Sequence, residues 1–346
     1  MVRALLRSVL PFVVGIPILV ALDLVVPGNY FLILTSIGVN VVLAVSLNVV
    51  NGFTGQFSLG HAGFMAVGAY TAAKLSLLLG GVKIAFLPEL VSDQLFFAVA
   101  LACGMGAAAL AGFLVGMPSL RLRGDYLAIV TLGFGEIIRS IIENTSGLGT
   151  ALGLQGLPKR TNVIWLGVSA IATVVMARRL AVSTQGRALF AIREDEIAAE
   201  AMGVDTTGYK VRAFTVSAAY AGLAGGLIGH AIQMVTPNMF TFIRSIEVVV
   251  IVVLGGLGSI TGSVVTAVML GASLELLREF QQYRMVIYAL LLVVLMLLRP
   301  QGIFGTRELW DLPLFRRLPR LRPIAPATGG ASPTAVRDEG GRGGQA

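Results

Sequence analysis

Long apolar stretches separated by short polar segments dominate the chain. Each stretch is close to the roughly 20 residues that an α-helix needs to cross a bilayer. They fall at 9–27, 30–50, 62–80, 95–117, 126–142, 163–181, 213–235 and 284–299. A further run at 246–277 is too long for one span and contains GGLGS at 255–259. Since glycine costs about 1 kcal/mol in a helix interior, this run is predicted to form two shorter helices.

Composition agrees with this pattern. Of 346 residues, 56% are hydrophobic and 13% are charged, whereas soluble domains carry about 25% charged residues. We therefore predict an all-α, polytopic helical membrane protein with about ten passes, some broken or short. Such a chain has no room for a large soluble catalytic domain.

Basic residues outnumber acidic ones, 26 to 18. In a membrane protein, Lys and Arg mark cytoplasmic loops, so this excess predicts orientation and does not indicate nucleic-acid binding. Most of the basic residues, 18 against 7, fall on the cytoplasmic side when the N-terminus and the C-terminal tail are placed there and 246–277 is split. We expect the chain in the inner membrane, in contact with the lipid bilayer.

The polar stretch NGFTGQFSLGHAGF at 51–64 interrupts two apolar runs. Its Gly55-x4-Gly60 spacing resembles a phosphate-binding loop, but His61 and Ala62 stand where Lys and Ser or Thr are required. Two interpretations stay open, namely close helix packing and a discontinuous span that lines a solute pathway. The candidate pathway residues are Gly55, Gln56, Ser58, Gly60, His61, Gly255, Gly256, Gly258 and Ser259.

Other chemistry has little support in the sequence. The two histidines, His61 and His230, lack Cys or carboxylate partners at metal-ligand spacing, and no catalytic constellation is present. Glu136 and Arg139 are three residues apart on one helix face, so they are expected to neutralise each other rather than relay protons. The stretch AYAGLAGGLIGH at 219–230 contains small-xxx-small patterns typical of close helix packing.

A charged segment at 181–214 lies inside the body of the chain. Residues 187–202 are predicted to form a short amphipathic helix, and Gly203 stands where a helix C-cap needs a positive backbone angle. This segment is either a solvated face or a docking site for another protein. We divide the chain into a permease domain at 1–304, which contains 181–214, and a disordered basic tail at 305–346.

Three blocks of this sequence resemble a known family, the branched-chain amino acid permeases of ABC importers, and more narrowly their LivM-type subunit. The blocks are RLRGDYLAIVTLGFGEIIR at 121–139, GRALFAIREDEIAAEAMGV at 186–204 and IVVLGGLGSITG at 251–262. LNVVNGFTGQFSLGHAGFMAVGAY at 47–70 and LLRPQGIFG at 297–305 also fit. The resemblance implies a permease like those of type II ABC importers.

The resemblance also implies partners. These are a second, LivH-like permease, two cytoplasmic ABC ATPase subunits and a periplasmic amino-acid-binding protein. ATP and Mg would be used by the ATPases, with no cofactor bound by this chain. The 187–204 segment resembles the coupling helix that docks on an ATPase, and its matching residues are Arg187, Arg193, Glu194, Asp195, Glu196 and Gly203.

The family implies import of branched-chain or related amino acids, without enzymatic activity in this chain. One departure concerns the segment after GEIIR, which reads NTSGLGTALGLQGLPK at 144–159 where family members carry Thr-Gly-Gly. Related permeases carry urea or short amides, so these are an alternative substrate class. An ion-coupled secondary transporter that acts alone is a further alternative and would not need the charged 187–204 segment.

Overall fold

The structure is a computed structural model that describes residues 28–79, 89–120 and 126–276. It also describes 302–305, Glu308 and scattered positions within 12–23 and 286–297. All of these belong to a compact unit of residues 1–309. Most of the predicted spans at 9–27 and 284–299, and the predicted disordered tail from residue 309 onward, lie outside the described residues.

Helices form nearly all of the described chain, and we number them along it. Their bounds are α1 Gly28–Asn48, α2 His61–Leu79, α3 Glu89–Ser119, α4 Tyr126–Asn144, α5 Val163–Val182, α6 Thr184–Glu194, α7 Glu196–Ala201, α8 Thr206–Ile232, α9 Phe242–Gly255 and α10 Ile260–Leu276. A π-helical turn, Val49–Phe53, extends α1. Short 3-10 turns cover Ser146–Leu148, Thr150–Leu152 and Pro237–Phe240. A small antiparallel ladder joins β1, Leu154–Gln155, to β2, Met234–Val235.

The helices have the length and composition of membrane spans. Among the described residues, five helices are long and apolar enough to cross a bilayer, and Ile260–Ser273 forms a shorter apolar helix. In a bilayer every backbone group must be satisfied internally, which helices achieve within one segment. The chain is therefore an all-α, polytopic helical membrane protein, as predicted.

The long apolar run at 246–277 is split as the glycines predict. Helix α9 ends at Gly255 and α10 begins at Ile260. Between them, Gly256 and Gly258 have φ angles of 106° and 91°. Side chains rarely adopt this left-handed region, so the glycines permit the sharp reversal that one continuous helix could not make.

Three helices, α2, α3 and α8, pack together through small residues. A Cβ atom on Gly222 of α8 would lie 2.4 Å from the Cβ of Ala108 and 2.9 Å from the carbonyl oxygen of Gly104. One on Gly68 of α2 would lie 2.1 Å from the Cα of Gly222. The predicted small-xxx-small pattern thus serves internal packing, because backbones approach where side chains are missing.

The helix bundle has two distinct ends. At one end, the π-helical turn that finishes α1 lies beside α6, where the Arg193 guanidinium donates to the Gly52 carbonyl at 2.8 Å. At the other end, the Lys159 ammonium lies 4.4 Å from the ring of Phe31 near the start of α1. The β1–β2 ladder is on this second side, beyond the last turn of α8. We call these the α6–α7 side and the β1–β2 side.

Candidate functional site at the broken segments

Residues 183–204 form two helices rather than the single predicted helix at 187–202. Asp195 has extended backbone angles that end α6, and its carboxylate accepts hydrogen bonds from Ile197 N and Ala198 N at 2.9 and 3.0 Å. The single-helix prediction was wrong at this point. Aspartate is among the strongest N-cap residues, and the geometry here uses it to start a second helix.

The end of α7 confirms the C-cap prediction. Gly203 has a φ of 84°, its amide donates to Glu200 O at 2.9 Å, and Val204 N donates to Ala199 O at 3.1 Å. These two bonds form a Schellman motif, which closes the helix where its last carbonyls lack partners. A Cβ on Gly203 would meet no atom within 4 Å, so only its backbone conformation restricts this position.

One face of α6–α7 packs on the membrane helices, and the other is exposed. Leu189, Ile192 and Ala199 are buried. Glu196 forms an ion pair with Lys210 of α8, whose side chain is 1% exposed. The exposed face carries the charged residues Arg187, Glu194, Asp195 and Glu200, together with the apolar side chains of Ile197 and Met202, which are 68% and 85% exposed.

Arg193 points inward rather than toward this exposed face. Its Nη1 atom donates to the Gly52 carbonyl at 2.8 Å, and Nη2 lies 3.4 Å from a Glu194 carboxylate oxygen. A Cβ on Gly55 would lie 2.9 Å from Arg193 Cγ, and one on Gly258 would lie 2.8 Å from Nη1. This single arginine therefore touches both broken segments, 54–60 and 256–259.

The first break returns the chain from the α6–α7 side into the bundle. Its free backbone amides are satisfied by side chains from three helices. Ser58 N donates to Asn51 Oδ1 at 3.3 Å, Leu59 N to Thr131 Oγ1 at 3.1 Å, and Ala62 N to Ser245 Oγ at 3.1 Å. A Cβ on Gly60 would lie 2.4 Å from Thr131 O.

The polar side chains at this break differ in their surroundings. Ser58 and His61 are 2% and 3% exposed, and the His61 ring is hydrogen-bonded to Ser46 Oγ at 3.0 Å. Gly55 is exposed and Gln56 is half-buried. The buried pair therefore supports the fold of the break, whereas Gly55 and Gln56 lie at its surface.

The second break is held by an amide side chain of α1. Asn48 Oδ1 accepts from Gly258 N at 2.9 Å, and Asn48 Nδ2 donates to Ser259 O at 2.9 Å. Ser259 Oγ accepts from Gly262 N at 3.0 Å. A Cβ on Gly255 would lie 2.6 Å from the Gly262 carbonyl carbon. Asn48 thus joins the end of α1 to the α9–α10 turn.

Residues 302–305 and Glu308 contact the second break. Ile303 N donates to Leu254 O at 2.7 Å, and a Cβ on Gly256 would lie 2.3 Å from Gly305 O. The Glu308 carboxylate accepts from Ile260 N at 2.7 Å, from Thr261 N at 3.0 Å and from the Thr261 hydroxyl. It therefore caps the N-terminus of α10, where a negative charge is favourable.

Comparison with known proteins identifies the family. The family model described as branched-chain amino acid transport system / permease component matches residues 29–298. The chain belongs to this permease family. The match runs from α1 past α10 and includes both breaks and α6–α7, which confirms the resemblance seen in the sequence blocks.

Individual relatives agree with this assignment. The high-affinity branched-chain amino acid transport system permease protein LivM of Salmonella typhimurium is 40% identical over 76% of this chain and 67% of the relative. LivH of Escherichia coli is 25% identical over 77% of this chain and 91% of the relative. The fructose import permease protein FrcC of Rhizobium meliloti is 27% identical over 57% and 61%. No solved structure matches the chain.

The fold thus brings some of the predicted site residues together and leaves others apart. Gly55 and Gly258 meet at Arg193, whereas Gly60, Gly255 and Gly256 are closely packed against backbone. The sequence interpretation missed Asn48 and Glu308 because their partners lie 211 and 48 residues away, respectively. Among the described residues, no group of three or more His, Cys, Asp and Glu side chains could hold a metal.

Proposed function

We propose that this permease is one membrane subunit of an ATP-driven importer of branched-chain amino acids. The observation that carries the proposal is the α6–α7 element, which exposes charged and apolar side chains while Arg193 connects it to both breaks. The substrate class rests on the 40% identity to LivM, whose name specifies branched-chain amino acids. Urea or short amides remain the alternative class on the same scaffold.

The partners follow from the same proposal. Two cytoplasmic ATPases bind ATP and Mg and dock on α6–α7 of this subunit and the equivalent element of a LivH-like subunit. A periplasmic binding protein delivers the amino acid on the β1–β2 side. The α6–α7 side carries Arg178, Arg179, Arg187, Lys210 and Arg212, which supports its cytoplasmic placement in the inner membrane under the positive-inside rule.

The proposed coupling is mechanical. ATP binding moves the docked α6–α7 element, and Arg193 transmits that movement to Gly52 and Gly258 at the two breaks. Because Asn48 joins the end of α1 to the α9–α10 turn, α1, α9 and α10 shift as a unit and open the pathway to the other side. Coupling of this kind needs an element with two arrangements whose equilibrium is shifted both at the docking site and at the solute pathway. Our candidate for this element is the pair of breaks with their hydrogen bonds.

Purification in mild detergent tests the subunit composition. We expect tagged protein from its native membrane to bring along two ATPases and a second permease, identified by mass spectrometry. The purified complex in liposomes with its binding protein should take up labelled leucine only with ATP, and excess valine but not urea should compete. Uptake by this chain alone without ATP would instead show a secondary transporter.

A further inference from the structure

A ladder of charged side chains lies on α4. The Arg139 Nε atom is 3.0 Å from Glu136 Oε2, and Nη1 is 3.1 Å from Glu143 Oε1. The predicted pairing of Glu136 with Arg139 is confirmed, and Glu143 extends it by one turn. We call these three residues the α4 ladder. Its ion pairs are at i,i+3 and i,i+4 spacing, so they form within one helix.

The α4 ladder begins at membrane depth. A Cβ on Gly63, in the first turn of α2, would lie 2.8 Å from the Cα of Gly135, which is the neighbour of Glu136. That turn is itself inside the bundle, because the first break returns the chain from the α6–α7 side. Glu143 lies one residue before the end of α4 on the β1–β2 side. The charges therefore extend from the middle of the bundle to one of its ends.

The face beside the α4 ladder is open. The side chains of Glu136, Arg139 and Glu143 are 43%, 29% and 31% exposed. Ile129, two turns before Glu136 on the same side of the helix, is 66% exposed. Gly133, one turn before Glu136, would meet no atom within 4 Å if it carried a Cβ. Charged and apolar groups thus share one unfilled face.

Lipid is a poor neighbour for this face. Ionisable residues at membrane depth are costly in lipid and usually face a bundle interior or a water-filled cavity. Helix α3 provides the contrast, because its exposed residues Leu110, Phe113, Leu114 and Met117 form an apolar surface suited to acyl chains. Another ion pair, Arg244 with Glu247, is tied to internal packing through Asn40, at 2.6 Å from Arg244 Nη2.

We infer that this face of α4 lines the solute pathway and that the α4 ladder receives the charged ends of a zwitterionic amino acid. Arg139 would attract the carboxylate, Glu136 or Glu143 the ammonium, and Ile129 the apolar side chain. The ion pairs of Arg139 with Glu136 and Glu143 can be replaced by ion pairs with the solute's own carboxylate and ammonium. The charges therefore stay compensated as the solute passes. This inference rests on the proposed transport function and names a solute-binding face within it.

Thiol labelling tests whether the face is wet. Cys103→Ala removes the only cysteine, and Ile129→Cys or Leu114→Cys is then introduced at sites of similar exposure, 66% and 61%. Thiols react as thiolates, which apolar surroundings disfavour, so a charged methanethiosulfonate should label position 129 in proteoliposomes at least about tenfold faster than position 114. Equal, slow labelling at both positions would overturn the inference.

Uptake tests the role of the charges. In the reconstituted complex, Arg139→Gln should lower ATP-driven leucine uptake at least about tenfold, and Arg139→Lys should retain part of it because the positive charge remains. Arg212→Gln, the same change at an exposed arginine away from α4, is the matched control and should transport normally. Full uptake by Arg139→Gln would contradict the role. Absence of uptake by the unmodified complex would instead refute the proposed function, while the labelling result would still stand.

Discussion

Helices α8 and α4 both run through the membrane domain and both contain glycines, yet they are used differently. The glycines of α8 are filled by neighbours, since a Cβ on Gly225 would lie 2.0 Å from Met65 O. On α4, Gly133 faces open space, and bulky residues such as Ile129 are 66% exposed. Close packing makes α8 a scaffold, whereas the sparsely covered α4 leaves a surface free for a solute.

The largest expected difference between the two helices comes from the same substitution in each. The Cβ of Gly222→Leu would collide with Ala108 and Gly104, whereas the Cβ of Gly133→Leu would meet no atom within 4 Å. Overpacking a filled core typically costs about 1–3 kcal/mol. We expect the α8 variant to lose thermal stability in detergent or fail to assemble, and the α4 variant to melt like the parent. Equal melting temperatures would remove the distinction between scaffold and open face.

A smaller effect is expected at the N-terminus of α10, which the Glu308 carboxylate caps. Glu308→Ala leaves the amides of Ile260 and Thr261 without their carboxylate acceptor. Loss of a capping acceptor typically costs about 1 kcal/mol. We expect a modest drop in melting temperature for this variant and a smaller one for Glu308→Gln, which keeps an acceptor oxygen. An unchanged melting curve for Glu308→Ala would show that the cap contributes nothing.

An effect of similar size concerns Gly203, which resembles Gly133 in having free space around it but differs in conformation. Its φ of 84° is unfavourable for alanine, although no atom would contact the new methyl group. A left-handed backbone costs a non-glycine residue roughly 1–2 kcal/mol. Gly203→Ala should therefore lower stability modestly, and Gly203→Asn less, in the same melting assay. A more stable alanine variant would contradict the strain argument.

Local signals in the sequence predicted several features correctly. The glycines at 255–259 marked the split run, Gly203 marked the end of α7, and the glycines of 219–230 marked close packing. Each depends on backbone freedom or side-chain size at one position, which a sequence displays directly. The interruption at 51–64 was also visible, because polar residues separated two apolar runs.

Features that depend on distant partners could not be predicted. Arg193 was assigned to the docking surface with Glu194, yet its guanidinium bonds to Gly52, 141 residues away. An arginine in an amphipathic helix can point either way, and the sequence gives no sign of which carbonyl is near. Asp195 was misplaced inside one helix for a different reason, because a capping aspartate and a solvent-exposed one have the same local pattern.

The central claim is that α6–α7 drives the broken segments through Arg193. The most direct measurement is leucine uptake per ATP hydrolysed in proteoliposomes for Arg193→Met, which keeps an unbranched side chain but loses the bond to Gly52. Arg212→Met, on the same side of the membrane, serves as the control. We predict hydrolysis with little uptake for Arg193→Met and a normal ratio for Arg212→Met. A normal ratio for Arg193→Met would contradict the account.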